Sequence, residues 1–135
     1  MAVSSKKRYV EGIGSRKRSS CRVRVYEGTE TSVINGVPVE EYFKGHEKLQ
    51  NTLKRPLIVA GLVDKLFFSA KVIGGGTTGQ AGAIRMGLAR ALAGFDNAVR
   101  PVLAKEGLLS RDSREVERKK YFLRKARKKP QFSKR

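Results

Sequence analysis

The chain has 135 residues, one cysteine, one histidine and a formal net charge of +18. That length predicts one small domain, and a lone Cys21 excludes an internal disulfide or a cysteine-rich metal cluster. No apolar stretch approaches the roughly 20 residues of a membrane span. The basic N-terminus lacks a following apolar segment, so we expect an intracellular protein without a secretory signal.

The positive charge is concentrated at the two ends of the chain. The net charge is +7 over residues 1–26, +2 over residues 27–109 and +9 over residues 110–135. Between Lys119 and Arg135, nine residues are Lys or Arg and none is acidic. Burying so many unpaired cations would be prohibitively costly, so their counter-charge is expected outside the chain. Basic ends on a near-neutral domain favour a nucleic acid as the partner.

The N-terminal part of the chain contains one clear strand signal. Residues 1–8 are small, polar and basic and are expected to be poorly ordered, and the glycines that follow Tyr9 indicate a loose backbone. Residues 21–26 then alternate strictly between apolar and polar side chains, which predicts a half-buried strand with Arg22 and Arg24 on its outer face. Cys21 belongs to the apolar face and is expected to be a small buried residue.

A hairpin and a helix are predicted next. Residues 31–34 and 37–39 have the character of short strands, joined by Asn35-Gly36, a strong hairpin signal. Pro38 limits the second of them to a sheet edge or a strand end. Residues 39–53 have helical periodicity, and Pro56 is expected to end or bend that helix.

The second half of the domain alternates a strand with helices. The segment 57–63 fits a helical connection or a strand, and we favour the helix; residues 66–73 predict a strand. Residues 80–93 predict a helix that ends at Gly94. The apolar residues of its buried face recur at helical spacing and include Phe95. Residues 97–105 predict another short helix. A capping box at 112–115 predicts one more, with a Glu115–Lys119 pair along it.

The run Gly74-Gly75-Gly76 with Gly79 matches the spacing G-x-G-x-x-G between a strand and a helix. A dinucleotide site would need a second parallel strand ending in an acidic residue, and none is predicted. Two interpretations remain open: a tight turn that needs glycine dihedrals, and a helix N-terminus that meets an RNA phosphate.

Residues 74–92, GGGTTGQAGAIRMGLARAL, resemble the signature of the ninth protein of the small ribosomal subunit. The agreement includes the three glycines, Gln80 and the basic Arg90 on the helix. Two later blocks, residues 110–121 and 125–135, are also similar to that family, as is GSRKRSSCRVRV near the N-terminus. The resemblance covers nearly the whole chain from Tyr9 onward.

The resemblance implies a single α/β (α+β) two-layer domain, with about four strands and helices on one side. That fold is similar to the second domain of the ribosomal protein five family. We expect a basic N-terminus at 1–8, a globular domain at 9–109, and a short helix with a long extended basic tail at 110–135. No enzymatic activity, cofactor, metal or small-molecule substrate is expected.

The same resemblance implies a place in the head of the small subunit, beside neighbouring head proteins and bound to 16S-type rRNA. The tail tip would contact P-site tRNA through Ser133, Lys134 and Arg135. The glycine-loop residues are Gly74, Gly75, Gly76 and Gln80. The residues expected to bind rRNA are Arg16, Lys17, Arg18, Arg22, Arg24, Arg111, Arg114, Arg118, Lys119, Lys120, Arg124, Lys125, Arg127, Lys128, Lys129 and Phe132.

Three aromatic side chains interrupt the charge of the tail, and their roles differ. Tyr121 and Phe122 could pack back on the domain or stack on nucleobases, whereas Phe132 is far from any predicted core and is expected to meet RNA. The alternative function is that of a free basic RNA-binding protein or RNA chaperone. We expect a cytoplasmic, ribosome-bound protein, and the sequence does not exclude a plastid location.

Overall fold

A computed structural model describes residues 8–134, and the expectations for residues 1–7 and for Arg135 lie outside the described part. The centre of the fold is a five-stranded sheet with the order β1-β2-β5-β3-β4. Neighbouring strands are antiparallel except β3 and β5, which are parallel. The strands are β1 (Val10–Arg16), β2 (Ser19–Glu27), β3 (Val33–Ile34), β4 (Val37–Pro38) and β5 (Leu66–Ile73).

Helices cover one face of this sheet. They are α1 (Val39–Tyr42), α2 (Glu47–Ala60), α3 (Thr77–Phe95) and α4 (Arg100–Lys105). Helix α3 packs directly on β1 and β2, and α2 packs against α3. Cys21, Val23 and Val25 point into the core while the alternate residues of β2 face outward, as the period of two predicts. The predicted α/β two-layer domain is confirmed.

The sheet has one strand more than predicted, because the glycine-containing segment after Tyr9 forms β1. A Cβ atom at Gly12 would overlap the carbonyl oxygen of Gly87, and one at Gly14 would overlap that of Ala83. The glycines in β1 therefore mark the close approach of α3 and not a loose backbone. The edge position predicted for Pro38 and the hairpin turn at Asn35-Gly36 are both confirmed.

Helix α2 differs from its prediction at both ends. The chain leaves the helical conformation at Phe43 and enters it again at Glu47, so the predicted helix over 39–53 is divided in two. Pro56 does not end α2, which continues to Ala60. Pro56 is buried beside Leu53 and Leu57, and this packing offsets the hydrogen bond that proline cannot donate.

Helix α3 is longer than predicted and is buried around most of its circumference. Gly94 lies inside the helix, where an added Cβ would stand 3.3 Å from Cγ1 of Val10. Phe95, predicted to face the core, is 36% exposed because it is the last residue of α3. The strand over 66–73 and the short helix ending at Lys105 are found where the sequence predicts them.

The helix predicted from the capping box at 112–115 does not form. Residues 111–120 have no regular secondary structure. Asp112 accepts hydrogen bonds from the backbone and guanidinium N–H groups of Arg114, and Glu115 pairs with Arg18 in place of Lys119. The acidic residues of the pattern thus bind arginines instead of capping a helix.

Candidate nucleic-acid interface

The base of the tail lies against the turn between β1 and β2. Nε of Arg18 is 2.7 Å from Oε1 of Glu115, and Nε of Arg111 donates a hydrogen bond of 2.9 Å to Oγ of Ser15. The basic cluster near the N-terminus and the first tail residues therefore form one surface, although about 95 residues separate them along the chain. This contact fixes where the tail leaves the domain.

Arg16 has a different environment from the two basic residues that follow it. Its side chain is 20% exposed, against 84% for Arg18, and it extends over Gly82 of α3. Its guanidinium is 3.6 Å from Asp112, and its Nε is buried without a hydrogen-bond partner. Arg16 therefore lies between the domain and the tail, and little of it is open to a ligand.

Two further groups near this junction have shifted pKa values. Hydrogen bonds from Arg114, with the nearby charge of Arg16, hold the pKa of Asp112 well below its usual range. Burial lowers the pKa of Arg85, and the neighbouring charges of Arg16 and Arg55 lower it further. The junction therefore holds Asp112 as a carboxylate among several arginines.

The open face of the sheet presents a second basic group. Arg22 and Arg24 project from β2, and Glu11 on β1 pairs with both, at 3.1 and 3.2 Å. Lys71 of β5 is the register partner of Arg22. The guanidinium of Arg24 also lies 4.7 Å above the centre of the Tyr9 ring, a cation–π geometry.

Aromatic rings continue this open face. Tyr26 stacks on Phe67 with 5.3 Å between ring centroids, and Tyr9 lies 5.7 Å from Tyr26. Sequence reasoning missed Lys71 and Phe67 as members of the open face. The alternation of buried and less buried residues along β5 is the signal that could have placed them there.

The middle of the tail forms a turn held by one acidic side chain. Glu117 receives two hydrogen bonds from Arg127, at 2.7 and 3.1 Å, and one from Lys120 at 3.2 Å. The backbone N–H of Arg124 donates to the carbonyl of Lys128 at 2.8 Å. Hydrogen bonds from Arg127 first, then from Lys120, lower the pKa of Glu117.

Most of the tail cations that are predicted to bind RNA have no carboxylate partner among residues 8–134. Arg118, Lys119, Arg124, Lys125, Lys128 and Lys129 form no pair with a carboxylate in the described part of the chain. Phe132 is 87% exposed, and Lys134 is exposed as well. Arg135 lies outside the described residues.

The glycine loop has a structural function. Gly74 and Gly75 have φ angles of +74° and +66°, which glycine adopts without strain, and they turn the chain from β5 into α3. Oγ of Ser19, the only buried polar residue among residues 8–134, donates to the carbonyl of Gly74 at 3.0 Å. Gln80 donates to the same carbonyl at 3.1 Å and accepts from Tyr42 at 2.7 Å. These contacts favour the tight-turn interpretation.

Cys21 is buried, as predicted, and 4% of it is exposed. Burial raises the pKa of its thiol to about 11, although a hydrogen bond from the backbone of Gly14 opposes this shift. The thiol is therefore protonated at neutral pH and is a poor nucleophile.

Residues 8–134 contain no group of three or more His, Cys, Asp or Glu side chains arranged to hold a metal ion. Within the same residues, no helix is both long and apolar enough to span a membrane.

These features define a class: a small α/β domain with arginine-rich surfaces and an exposed basic C-terminal segment. The family model described as ribosomal protein S9/S16 matches residues 14–135. The chain belongs to this family of small-subunit ribosomal proteins, as the sequence blocks around the glycine loop and in the tail predict. The family is generally non-enzymatic.

Proposed function

We propose that the protein is a structural component of the head of the small ribosomal subunit, where it binds 16S-type rRNA. The observation that carries this proposal is the excess of exposed cations in the tail. Of the nine Lys and Arg residues from Arg118 to Lys134, only Lys120 and Arg127 pair with a carboxylate in the described part. Because the described part of the chain offers the other seven no carboxylate, an external polyanion is their natural partner.

Two surfaces contribute to rRNA binding in this proposal. The first is the junction of the β1–β2 turn with the tail base, which includes Lys17, Arg18 and Arg111. The second is the tail from Arg118 to Phe132, whose cations contact phosphates without reading sequence. Arg22 and Arg24 contribute separately from the open face of the sheet, and Arg16 positions the tail through Asp112.

The tail tip has a separate partner in this proposal. Ser133, Lys134 and Arg135 contact the P-site tRNA, which is a property implied by membership of the family. Contacts to phosphates would hold any tRNA, because the backbone carries no sequence information. Neighbouring head proteins complete the set of partners, and the protein is located on the ribosome, in the cytoplasm or in a plastid.

Removal of residues 133–135 tests the assignment of the tip. We expect subunits that contain the truncated protein to assemble normally but to bind P-site tRNA more weakly, as filter binding at several salt concentrations would show. A full-length variant with Lys134→Gln and Arg135→Gln separates the loss of charge from the loss of length. Unchanged tRNA affinity at every salt concentration would refute the role of the tip.

Co-sedimentation tests the ribosomal assignment as a whole. After a wash in moderate salt, the protein should remain with small subunits in a one-to-one ratio. A free RNA-binding protein or RNA chaperone would instead separate from the subunits and would show no preference for 16S-type rRNA over other RNA of equal length.

A further inference from the structure

The turn over residues 117–128 presents two aromatic rings to the surroundings. Tyr121 is 82% exposed and Phe122 is 88% exposed, and neither belongs to the hydrophobic core. Their rings contact each other edge to face, with 5.5 Å between centroids. The alternative left open by the sequence, that both rings pack back on the domain, is not what the structure shows.

The backbone at Phe122 is in an unfavourable conformation. Its φ angle of +59° lies in the left-handed region, which a bulky side chain enters only at an energetic cost. No packing contact of the ring within the domain offsets this cost. A strained backbone that holds an exposed ring suggests that the ring acts on something outside the chain.

The turn is held in place by the carboxylate of Glu117. Its bonds to Arg127 join the two sides of the segment, its bond to Lys120 holds the first side, and the 2.8 Å bond between Arg124 and Lys128 closes the turn. Leu123 is partly buried in the turn, whereas the rings of Tyr121 and Phe122 point outward. The exposed rings are thus carried on a hydrogen-bonded turn.

The charge around the rings selects the partner. Lys119, Lys120, Arg124 and Lys125 lie within four residues of the pair, and no acidic residue follows Glu117 in the sequence. Apolar rings with a cationic border suit a polyanion that also offers flat apolar faces, which is the chemistry of unpaired nucleobases in RNA. A protein partner would need a strongly acidic surface around an apolar cleft.

We propose that Tyr121 and Phe122 form an aromatic wedge that stacks on unpaired bases of the rRNA, and that Glu117 positions this wedge. The proposal rests on the proposed function, because it assumes that the tail lies in rRNA, and it assigns to the turn a contact with bases in addition to phosphates. Glu117 contributes by keeping the turn closed.

The variant Phe122→Gly tests the wedge in the full-length protein. It removes the ring and relieves the left-handed backbone; because glycine also gives the turn more backbone freedom, Phe122→Asn is compared with it, since asparagine removes the ring and tolerates the left-handed conformation. Against transcribed 16S-type rRNA we expect affinity to fall about tenfold, by the same factor at every salt concentration, since stacking releases no counterions. In contrast, Lys125→Gln removes a charge that binds phosphate, so log K should fall less steeply with log salt. Val116→Ala, which shortens an exposed side chain outside the turn, is the matched control.

The variant Glu117→Gln tests the positioning role by the sign of its effect. If Glu117 only neutralised Arg127, its replacement by glutamine would raise the net charge of the protein by one, and rRNA would bind more tightly. The wedge predicts weaker binding, because the turn opens and the rings are no longer held. Tighter binding of this variant would contradict the role of Glu117.

The outcomes separate this inference from the proposed function. If the unmodified protein shows no preference for 16S-type rRNA, the proposed function fails. If it does show that preference and Phe122→Gly binds as tightly as the parent, the wedge is wrong. If that variant binds rRNA normally but is lost from assembled subunits, the rings contact a protein, and the proposal is again overturned.

Discussion

The domain over residues 9–109 and the tail over residues 110–134 are held by different forces. In the domain, small residues of β1 and α3 bring two backbones into contact above an apolar core. In the tail, the contacts are ion pairs and hydrogen bonds at the surface, and no residue beyond Leu109 packs in or against the core. Exposed ion pairs of this kind contribute little to stability, typically below about 1 kcal/mol each. The domain can therefore fold by its own contacts, whereas we expect the tail to gain its stability from a partner.

The largest effect is expected at the contact between β1 and α3. Gly14→Val places a branched side chain against the carbonyl of Ala83 and the backbone of Gly87. We expect a loss of about 3 kcal/mol or more in the free energy of unfolding, measured by urea denaturation. The matched control is Gly76→Ala, which meets no atom within 4 Å and should cost less than about 1 kcal/mol. If Gly14→Val were as stable as this control, close backbone packing would not hold the domain together.

A smaller effect is expected where the glycine loop meets β2. Ser19→Ala removes a buried hydrogen bond to Gly74, whose carbonyl keeps its bond from Gln80. The free energy of unfolding should fall by about 1 kcal/mol. Ser20→Ala, on the exposed face of the same strand, should have no measurable effect. Equal stability of the two variants would show that the buried serine does not support the loop.

The smallest effect concerns the tail and its pH dependence. Because Arg127 and Lys120 lower the pKa of Glu117, the turn is fully stabilised above the ordinary pKa of a glutamate, about 4.3. That stabilisation is lost as the pH falls through the lowered value. In Arg127→Gln, the pKa of Glu117 should rise toward the ordinary value, as NMR of its carboxyl carbon would show. Lys129→Gln removes a charge that does not touch Glu117, and an equal shift in that variant would argue for general charge instead of the specific pair.

The sequence predicts regular elements well where the pattern follows the local period. The alternation in β2, the Asn35-Gly36 turn and the strand over 66–73 all depend on neighbouring residues, and the structure contains each of them. β1 was missed because its glycines serve a contact with α3, about 70 residues away. Secondary-structure propensity depends on neighbouring residues and therefore does not predict such a contact.

The same limit applies to the site. Charge alone identifies the two basic ends, but it does not show that they meet. Asp112 and Glu115 fit a capping box by spacing, whereas the structure uses them to attach the tail to Arg16 and Arg18. The strong positive charge of the β1–β2 turn decides between the two uses, and it acts across nearly 100 residues of sequence.

The salt dependence of rRNA binding tests the central claim most directly. Full-length protein and a chain that ends at Arg118 would be compared on transcribed 16S-type rRNA, since residues 119–134 contribute no side chain to the hydrophobic core. Each lost phosphate contact reduces the steepness of the fall of log K with log salt by about 0.7 to 0.9. We predict that truncation lowers the affinity and reduces this steepness by the equivalent of several phosphate contacts. Equal slopes and equal affinities for the two chains would contradict the claim that the tail is neutralised by rRNA.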